Sequence, residues 1–421
     1  MELVFWVSVL GVGYVYVGYP ALLAVWAAVR PLAVRTAPDR SAEPPRVSIV
    51  MAARDEAARL PARIDNLRAL DYPADRLEVI VVSDGSSDGT LDVLSRHGDL
   101  VRALAAPAIG KAAALNLAIA QASGDVLVFA DARQMFAPDA VRALVAPLSD
   151  PAVGGVTGEL ILDCEATAVA GRRAGERRRS DAPGEPTVGQ EERRRGVDRR
   201  GRDKSSIGEG VGLYWRYEKQ LRRLESLVGS TLGATGAIYA LRRSLYRQLP
   251  SDTILDDVLT PMRAVLAGYR VVFNERAVAF DRTASDARAE RRRKIRTLAG
   301  NFQVLWQEPR LLLPVVNPVW LQYLSHKVGR LLVPYALFAL FVANVAIAPG
   351  RVFYSLTLAA QCLVYLLAAY GAWLDSRQAS PARPAATVMD RLARVALTFF
   401  VMNYSAVAGL ASALTRRQVW R

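Results

Sequence analysis

Cysteine is nearly absent from this chain, with two in 421 residues, Cys164 and Cys362. So few cannot form a disulfide framework, and the scarcity suits a reducing compartment. No basic region precedes the first apolar stretch, Leu3–Val29, which itself carries no charge. The stretch is longer than the ~7–15 residues of a secretory h-region and the ~20 that cross a bilayer, so it reads as a retained anchor. Missing too is any nucleic-acid-binding motif, although the formal net charge is +14. Much of that charge flanks apolar runs, where arginine and lysine would face anionic lipid.

The chain is rich in long apolar runs. The hydrophobic fraction is 52%, gathered towards the two ends. Leu331–Ala348, Phe353–Leu374 and Val395–Leu414 are each long enough to span. Before them, Leu311–Val328 is apolar but interrupted by Pro314, Pro318, His326 and Lys327, a pattern that suits a helix lying in the membrane interface. Arg30, Arg35 and Arg40 follow the first run while only Glu2 precedes it, so the region between the first and second spans is expected to be cytoplasmic. Arg377, Arg383, Arg391 and Arg394 fall on the same side. Arg416, Arg417 and Arg421 conflict with a four-span count, which puts them outside; either the tail is an exception or one segment is re-entrant.

Between the apolar ends, strands and helices alternate. Arg46–Ala53 reads as a buried strand followed by Arg54-Asp55-Glu56, and Ala57–Leu70 has helical spacing. Glu78–Val82 is a second strand, ending in a turn-rich loop, Ser83–Thr90, with Asp88 placed to cap a helix. Val101–Ala105 is a weaker strand and Gly110–Ala122 a strong helix. Val126–Ala130 is a non-alternating apolar run, as in a strand buried on both faces, and it ends on Asp131. The alternation predicts a parallel sheet with helices on both faces, so Asp55, Glu56, Asp84 and Asp131 gather at one sheet edge. Open α/β sheets bind ligands at that edge.

VSIVMAARDEAARL, VVSDGSSDGT, GKAAALNLAI and GDVLVFADAR resemble, in this order and spacing, the family 2 glycosyltransferases. The likeness continues through GATGAIYALRRSLY, TILDDVLTPMRAVLAGYRVVF and RRKIRTLAGN. It covers about residues 45–305, and the membrane layout looks like the branch that includes cellulose and hyaluronan synthases. The resemblance implies a Rossmann-like glycosyltransferase-A α/β domain in the cytoplasm. An N-terminal transmembrane helix, three C-terminal ones and an interfacial helix would complete the chain. The expected units are an anchor over 1–30, the transferase domain over 45–305 and a membrane region over 309–421.

By the same resemblance, Asp55 or Glu56 and Asp84 would hold the uracil and ribose of a UDP-sugar, with Lys111 near the donor. Asp131 matches the first aspartate of the family's DxD metal motif, so a divalent cation, Mg²⁺ or Mn²⁺, would bridge it to the diphosphate. Arg133 stands where the second aspartate is expected. Of the pair Asp256-Asp257, the second matches the family's catalytic base. Gly233–Gly236 supplies small residues where an acceptor needs close approach. Arg293 and Thr297 replace the glutamine and tryptophan of the QxxRW motif, whereas Arg296 keeps its arginine and could grip the diphosphate.

One segment fits none of this. Arg172–Lys204 is dense in arginine and acids with almost nothing apolar, the composition of a disordered insertion. The resulting expectation is a plasma-membrane (bacterial inner membrane) enzyme, a hexosyl- or N-acetylhexosaminyltransferase. It would move sugar from a nucleotide-sugar to a growing polysaccharide or lipid-linked glycan. Single-sugar transfer to polyprenyl phosphate or lipid, and a degenerate nucleotide-sugar-binding scaffold, stay open. Membrane lipid is an expected partner and nucleic acid is not. Export of a polymer through so few spans would call for an oligomer or a second protein.

Overall fold

The computed structural model describes residues 1–35, 43–162, 207–281, 287–377 and 387–415. The charged insertion 172–204, Cys164 and the arginines after Thr415 lie outside them.

The first helix, α1, is Glu2–Val29. The sheet domain then follows the expected alternation: β1 (Val47–Ala53), α2 (Leu60–Arg68), β2 (Leu77–Asp84), α3 (Thr90–Ser95), β3 (Val101–Ala106), α4 (Lys111–Ala120) and β4 (Val126–Ala130). The short β5 (Met135–Phe136), α5 (Ala140–Val145) and β6 (Val153–Leu162) come next. A long helix, α6 (Ile207–Val228), leads to β7 (Ile238–Arg242), α7 (Asp256–Leu266), β8 (Arg270–Asp281) and α8 (Ala287–Gln307).

One eight-stranded sheet holds all the described strands in the order β3-β2-β1-β4-β7-β6-β8-β5. β1 to β4 are mutually parallel, as the alternation predicts. The sheet as a whole is mixed, because β7 runs antiparallel to β4 and β6. The reason is local. Ile238, the first residue of β7, pairs with Ala130, the last of β4, so the chain enters β7 at the edge where β4 ends. No crossover returns it to the other end, as a parallel pairing needs. Every residue of β4 is buried, and apolar cores cover both sheet faces, one built with α2 and α5, the other with α4 and α7.

Among the described residues four helices are long and apolar enough to cross a membrane. After α1 these are α9 (Trp320–Ile347), α10 (Val352–Arg377) and α11 (Val388–Leu414). The separate interfacial helix expected over Leu311–Val328 does not form. Pro309–Leu312 is a single 3₁₀ turn, and the chain then turns until Trp320 opens α9. Proline removes a backbone donor and pushes the residue before it out of helical geometry, so Pro314 and Pro318 delay the start. Asn317 closes the gap, its Nδ2 donating to the Leu311 carbonyl and its Oδ1 accepting from the Val319 amide. The second half of the expected helix is therefore the root of a candidate span.

These helices are anchored to the sheet domain at one end. Leu23 and Ala27 of α1 pack with Leu221 and Val228 of α6, and Val319 and Tyr323 join the core beside α7. At the far end, Glu2 pairs with Arg351. α11 returns to the domain: a Cβ on its Gly409 would lie 2.9 Å from the Ala299 nitrogen of α8. α8 in turn packs Gly300 against Ile254 and Leu255, just before α7.

Candidate active site

The loops that leave β1, β2 and β4 converge on one edge of the sheet, and α7 starts there. Asp55, after β1, is the only non-glycine residue among those described with positive φ, at 53°. Aspartate tolerates this left-handed geometry better than most residues. It is held by the next loop: Asp55 Oδ1 accepts from the Ser87 amide at 2.8 Å, and its own amide donates to Ser86 Oγ at 3.1 Å. Its carboxylate is exposed. Asp88 locks the same junction, accepting from the Ala57 and Thr90 amides. Glu56 pairs with Arg59 at 2.6 Å.

Asp84 is buried instead of open at the rim. Its carboxylate accepts from the amides of Ile109, at 2.7 Å, and Gly110, at 3.1 Å. The turn so fixed has Gly110 at φ 89°, where a side chain would be strained, and delivers Lys111 as the first residue of α4.

Lys111 is the hub. Its Nζ lies 3.1 Å from Asp131 Oδ1 and 3.3 Å from Asp256 Oδ1. Burial alone would lower the pKa of Lys111, but the charges of Asp131, Asp256 and Asp257 outweigh it and hold the ammonium above the ordinary lysine value. Asp257 is pushed the other way: burial first, and then the charge of Asp256, raise it to about 6, while Lys111 and Lys327 pull it down. Gly236 makes room for this carboxylate, since a Cβ there would lie 2.8 Å from Asp257 Oδ2. The same loop grips the backbone, with the Ala234 amide donating to the Asp257 carbonyl at 2.7 Å. Below, Phe129 and Tyr239 stack with centroids 4.3 Å apart.

The structure thus brings Asp131, Asp256, Asp257, Lys111 and Gly236 together, with Asp55 and Glu56 on the adjoining loop and Asp84 at the end of β2. Arg293 and Arg296 sit one to two turns before Gly300 on α8, exposed and half-buried respectively. Among the described residues no group of three His, Cys, Asp or Glu side chains could hold a metal alone. The donor set suits a cation that arrives with its ligand. Asp131 offers one carboxylate, and phosphate oxygens and water would complete the shell, the usual mode for Mg²⁺ beside a diphosphate.

Sequence reasoning missed a second polar cluster, behind the base. Glu225 of α6 is buried and accepts from Tyr19 Oη at 2.9 Å and His326 Nδ1 at 2.6 Å. Burial would raise the pKa of Glu218, but Arg330, and then His326, hold it well below the usual carboxylate range. The signal was present in His326 and Lys327, two ionisable residues in an apolar run.

Comparison with known proteins agrees with this architecture. The family model for glycosyl transferase family 2 matches residues 48–248, and that for glycosyl transferase family group 2 matches residues 214–374. Beta-monoglucosyldiacylglycerol synthase of Synechocystis is 34% identical over 118 residues, 27% of this chain and 25% of that protein. Poly-beta-1,6-N-acetyl-D-glucosamine synthase of Staphylococcus aureus is 22% identical over 274 residues, 62% of this chain and 56% of that protein. The chain therefore spans between a quarter and just over half of these relatives. In fold it is similar to the mannosyltransferase PcManGT of Pyrobaculum calidifontis, solved with GDP-mannose and Mn²⁺, with TM-score 0.68, 21% identity and 99% of both chains covered.

Proposed function

The chain belongs to glycosyl transferase family 2, and from that premise we propose that it transfers a sugar from a nucleotide-sugar, a UDP-sugar in our reading, to a glycan or lipid-linked acceptor at the membrane. The observation that carries the proposal is the seating of Asp257, its carboxylate against Gly236 at the edge where Lys111 ties Asp131 to Asp256.

A base must be within reach of the acceptor hydroxyl and titrate near working pH. Asp257, raised to about 6, is ionised at neutral pH yet basic for a carboxylate. It takes the proton as the acceptor oxygen bonds to the anomeric carbon. The bond from that carbon to the diphosphate breaks, and the nucleoside diphosphate leaves with the electron pair. A single displacement inverts the anomeric centre. Asp256 and Lys111 fix the position of the pair and set its charge.

Asp55 and Glu56 stand at the nucleotide end. Asp84 supports them from beneath by shaping the Ile109–Gly110 turn, with lone pairs left for a ribose hydroxyl. Asp131 would hold the divalent cation against the diphosphate, where it neutralises charge on the leaving group. Arg293 and Arg296 add positive charge from α8. The sheet domain spans about residues 45–305 and sits on the cytoplasmic face of the plasma membrane, as the arginines after α1 favour.

The test is nucleotide release from the purified full-length chain, with a panel of UDP- and GDP-sugars and with Mg²⁺, Mn²⁺ or EDTA. Release from one donor, lost in Asp257→Asn by ~10²- to 10⁴-fold, is the expected result. Release that survives Asp257→Asn unchanged would mean another base.

A further inference from the structure

Two stretches of π-helix lie face to face, Tyr14–Gly18 within α1 and Tyr323–Val328 within α9. Tyr14 Oη and Ser325 Oγ are 2.8 Å apart, and a Cβ on Gly329 would come 2.9 Å from Val15 Cγ2. π-helical turns are rare and concentrate at functional sites. The one in α9 carries His326 and Lys327, ionisable residues in a helix otherwise apolar enough to span. Such residues tend to mark substrate paths.

They face a pocket of about 40 Å³ between α6, α9 and the Leu232–Ala234 stretch that holds Asp257. Most charges in its wall are already engaged. Glu225 bonds Tyr19 and His326, Glu218 pairs with Arg330, and Arg222 NH1 donates to Thr235 Oγ1 at 2.5 Å. Lys327 differs. Among the described residues its ammonium makes no hydrogen bond or ion pair, although Glu218, Glu225 and Asp257 all act on it. Its three donors thus line a polar space whose wall at Ala234 is hydrogen-bonded to the backbone of the base, Asp257.

We propose that this pocket seats the acceptor, taking the hydroxyl-bearing edge of a sugar on a membrane-borne glycoside, with Lys327 as the donor that holds it. The inference rests on the transferase reading above. The volume suits two or three water-sized groups, at ~10–15 Å³ each, so it admits a hydroxymethyl and a neighbouring hydroxyl but not a whole ring. Hydroxyls both donate and accept, and the wall offers carboxylates beside cations. A phosphate would meet Glu218 and Glu225 as like charges. The root of α9 in the candidate span lets the acceptor keep its other end in lipid.

The experiment uses the full chain in nanodiscs of phosphatidylethanolamine and phosphatidylglycerol, with the cognate donor saturating. Octyl glucoside, octyl mannoside and octyl N-acetylglucosaminide are the probes, beside the free sugars and decyl phosphate. One alkyl glycoside should accelerate nucleotide release saturably, at far lower concentration than its free sugar. Lys327→Gln should raise the half-saturating glycoside concentration about tenfold or more, as losing a charge-assisted hydrogen bond does. The donor KM should stay unchanged, which also shows that the variant folds, and Lys327→Arg should recover part of the loss. An unchanged half-saturation in Lys327→Gln would overturn the assignment. Acceleration by decyl phosphate alone would overturn the sugar, and equal potency of the free sugar would overturn the membrane-borne source. A wild-type chain that releases no nucleotide from any donor would refute the transferase reading itself.

Discussion

Gly236 and Asp257 touch: a methyl group on Gly236 would lie 2.8 Å from Asp257 Oδ2 and 3.3 Å from its Cγ. That is closer than carbon and oxygen tolerate without movement, so any side chain there must displace the carboxylate. Gly236→Ala is therefore expected to lower kcat by ~10²-fold, the usual result of moving a reacting group by about 1 Å. The nucleotide end of the site is built from other loops, so the donor KM should hardly change. Steady-state kinetics with the donor varied would show this, and a raised donor KM at normal kcat would contradict it.

The charges around Lys111 predict a pH profile. A base works only when ionised, and Asp257 titrates at about 6, so activity should fall as pH drops through that value. Lys111 pulls the Asp257 pKa down. Lys111→Met should then move the acid limb of the kcat/KM profile to higher pH. The same change leaves the buried Asp256 without its cation, so the protein should also lose stability. An acid limb that stays in place would assign it to another group.

How much of this was legible in the sequence depended on range. Val126–Ala130 announced a doubly buried strand because the burial is written in consecutive residues, and Asp131 at its end followed from chain order. The antiparallel β7 did not, because the pairing of Ile238 with Ala130 depends on a loop more than a hundred residues downstream. Asp84 was expected to contact the nucleotide, and its bonds to Ile109 and Gly110 give it a second, turn-shaping role that chain order does not show. Nothing in the local pattern tells a carboxylate that binds substrate from one that shapes the turn. His326 and Lys327 were visible as breaks in an apolar run but were read as an interfacial helix. The partners of His326, Glu218 and Glu225, sit on α6, about a hundred residues away in the chain.

Asp131 predicts the metal dependence. With no group of three acidic, His or Cys residues to cage an ion among the described residues, the cation should bind weakly to the free protein and tightly only with nucleotide present. Calorimetry should find Mn²⁺ affinity rising on addition of UDP or GDP. Asp131→Asn should raise the Mn²⁺ concentration needed for half-maximal nucleotide release, and EDTA should abolish release in both proteins. Tight Mn²⁺ binding without nucleotide would argue for a protein cage elsewhere.

The contact between Gly409 and Ala299 settles where α11 ends relative to the sheet domain, and it carries a topological prediction. α9 leaves the domain and reaches the far end, where Arg351 meets Glu2. α11 finishes against α8 on the domain side. α10 and α11 together are therefore expected to make one net crossing, not two, with one of them lying along the membrane surface for part of its length. Thr415 would then lie on the same side as Arg30 and Arg35, as the positive-inside rule favours. Single cysteines at Thr415, Arg133 and Glu2, in a background with Cys164→Ser and Cys362→Ser, would test it in sealed vesicles with a membrane-impermeant maleimide. Thr415→Cys should label with Arg133→Cys, from the face opposite Glu2→Cys. If it labels with Glu2→Cys instead, both helices cross and Gly409 cannot rest on α8.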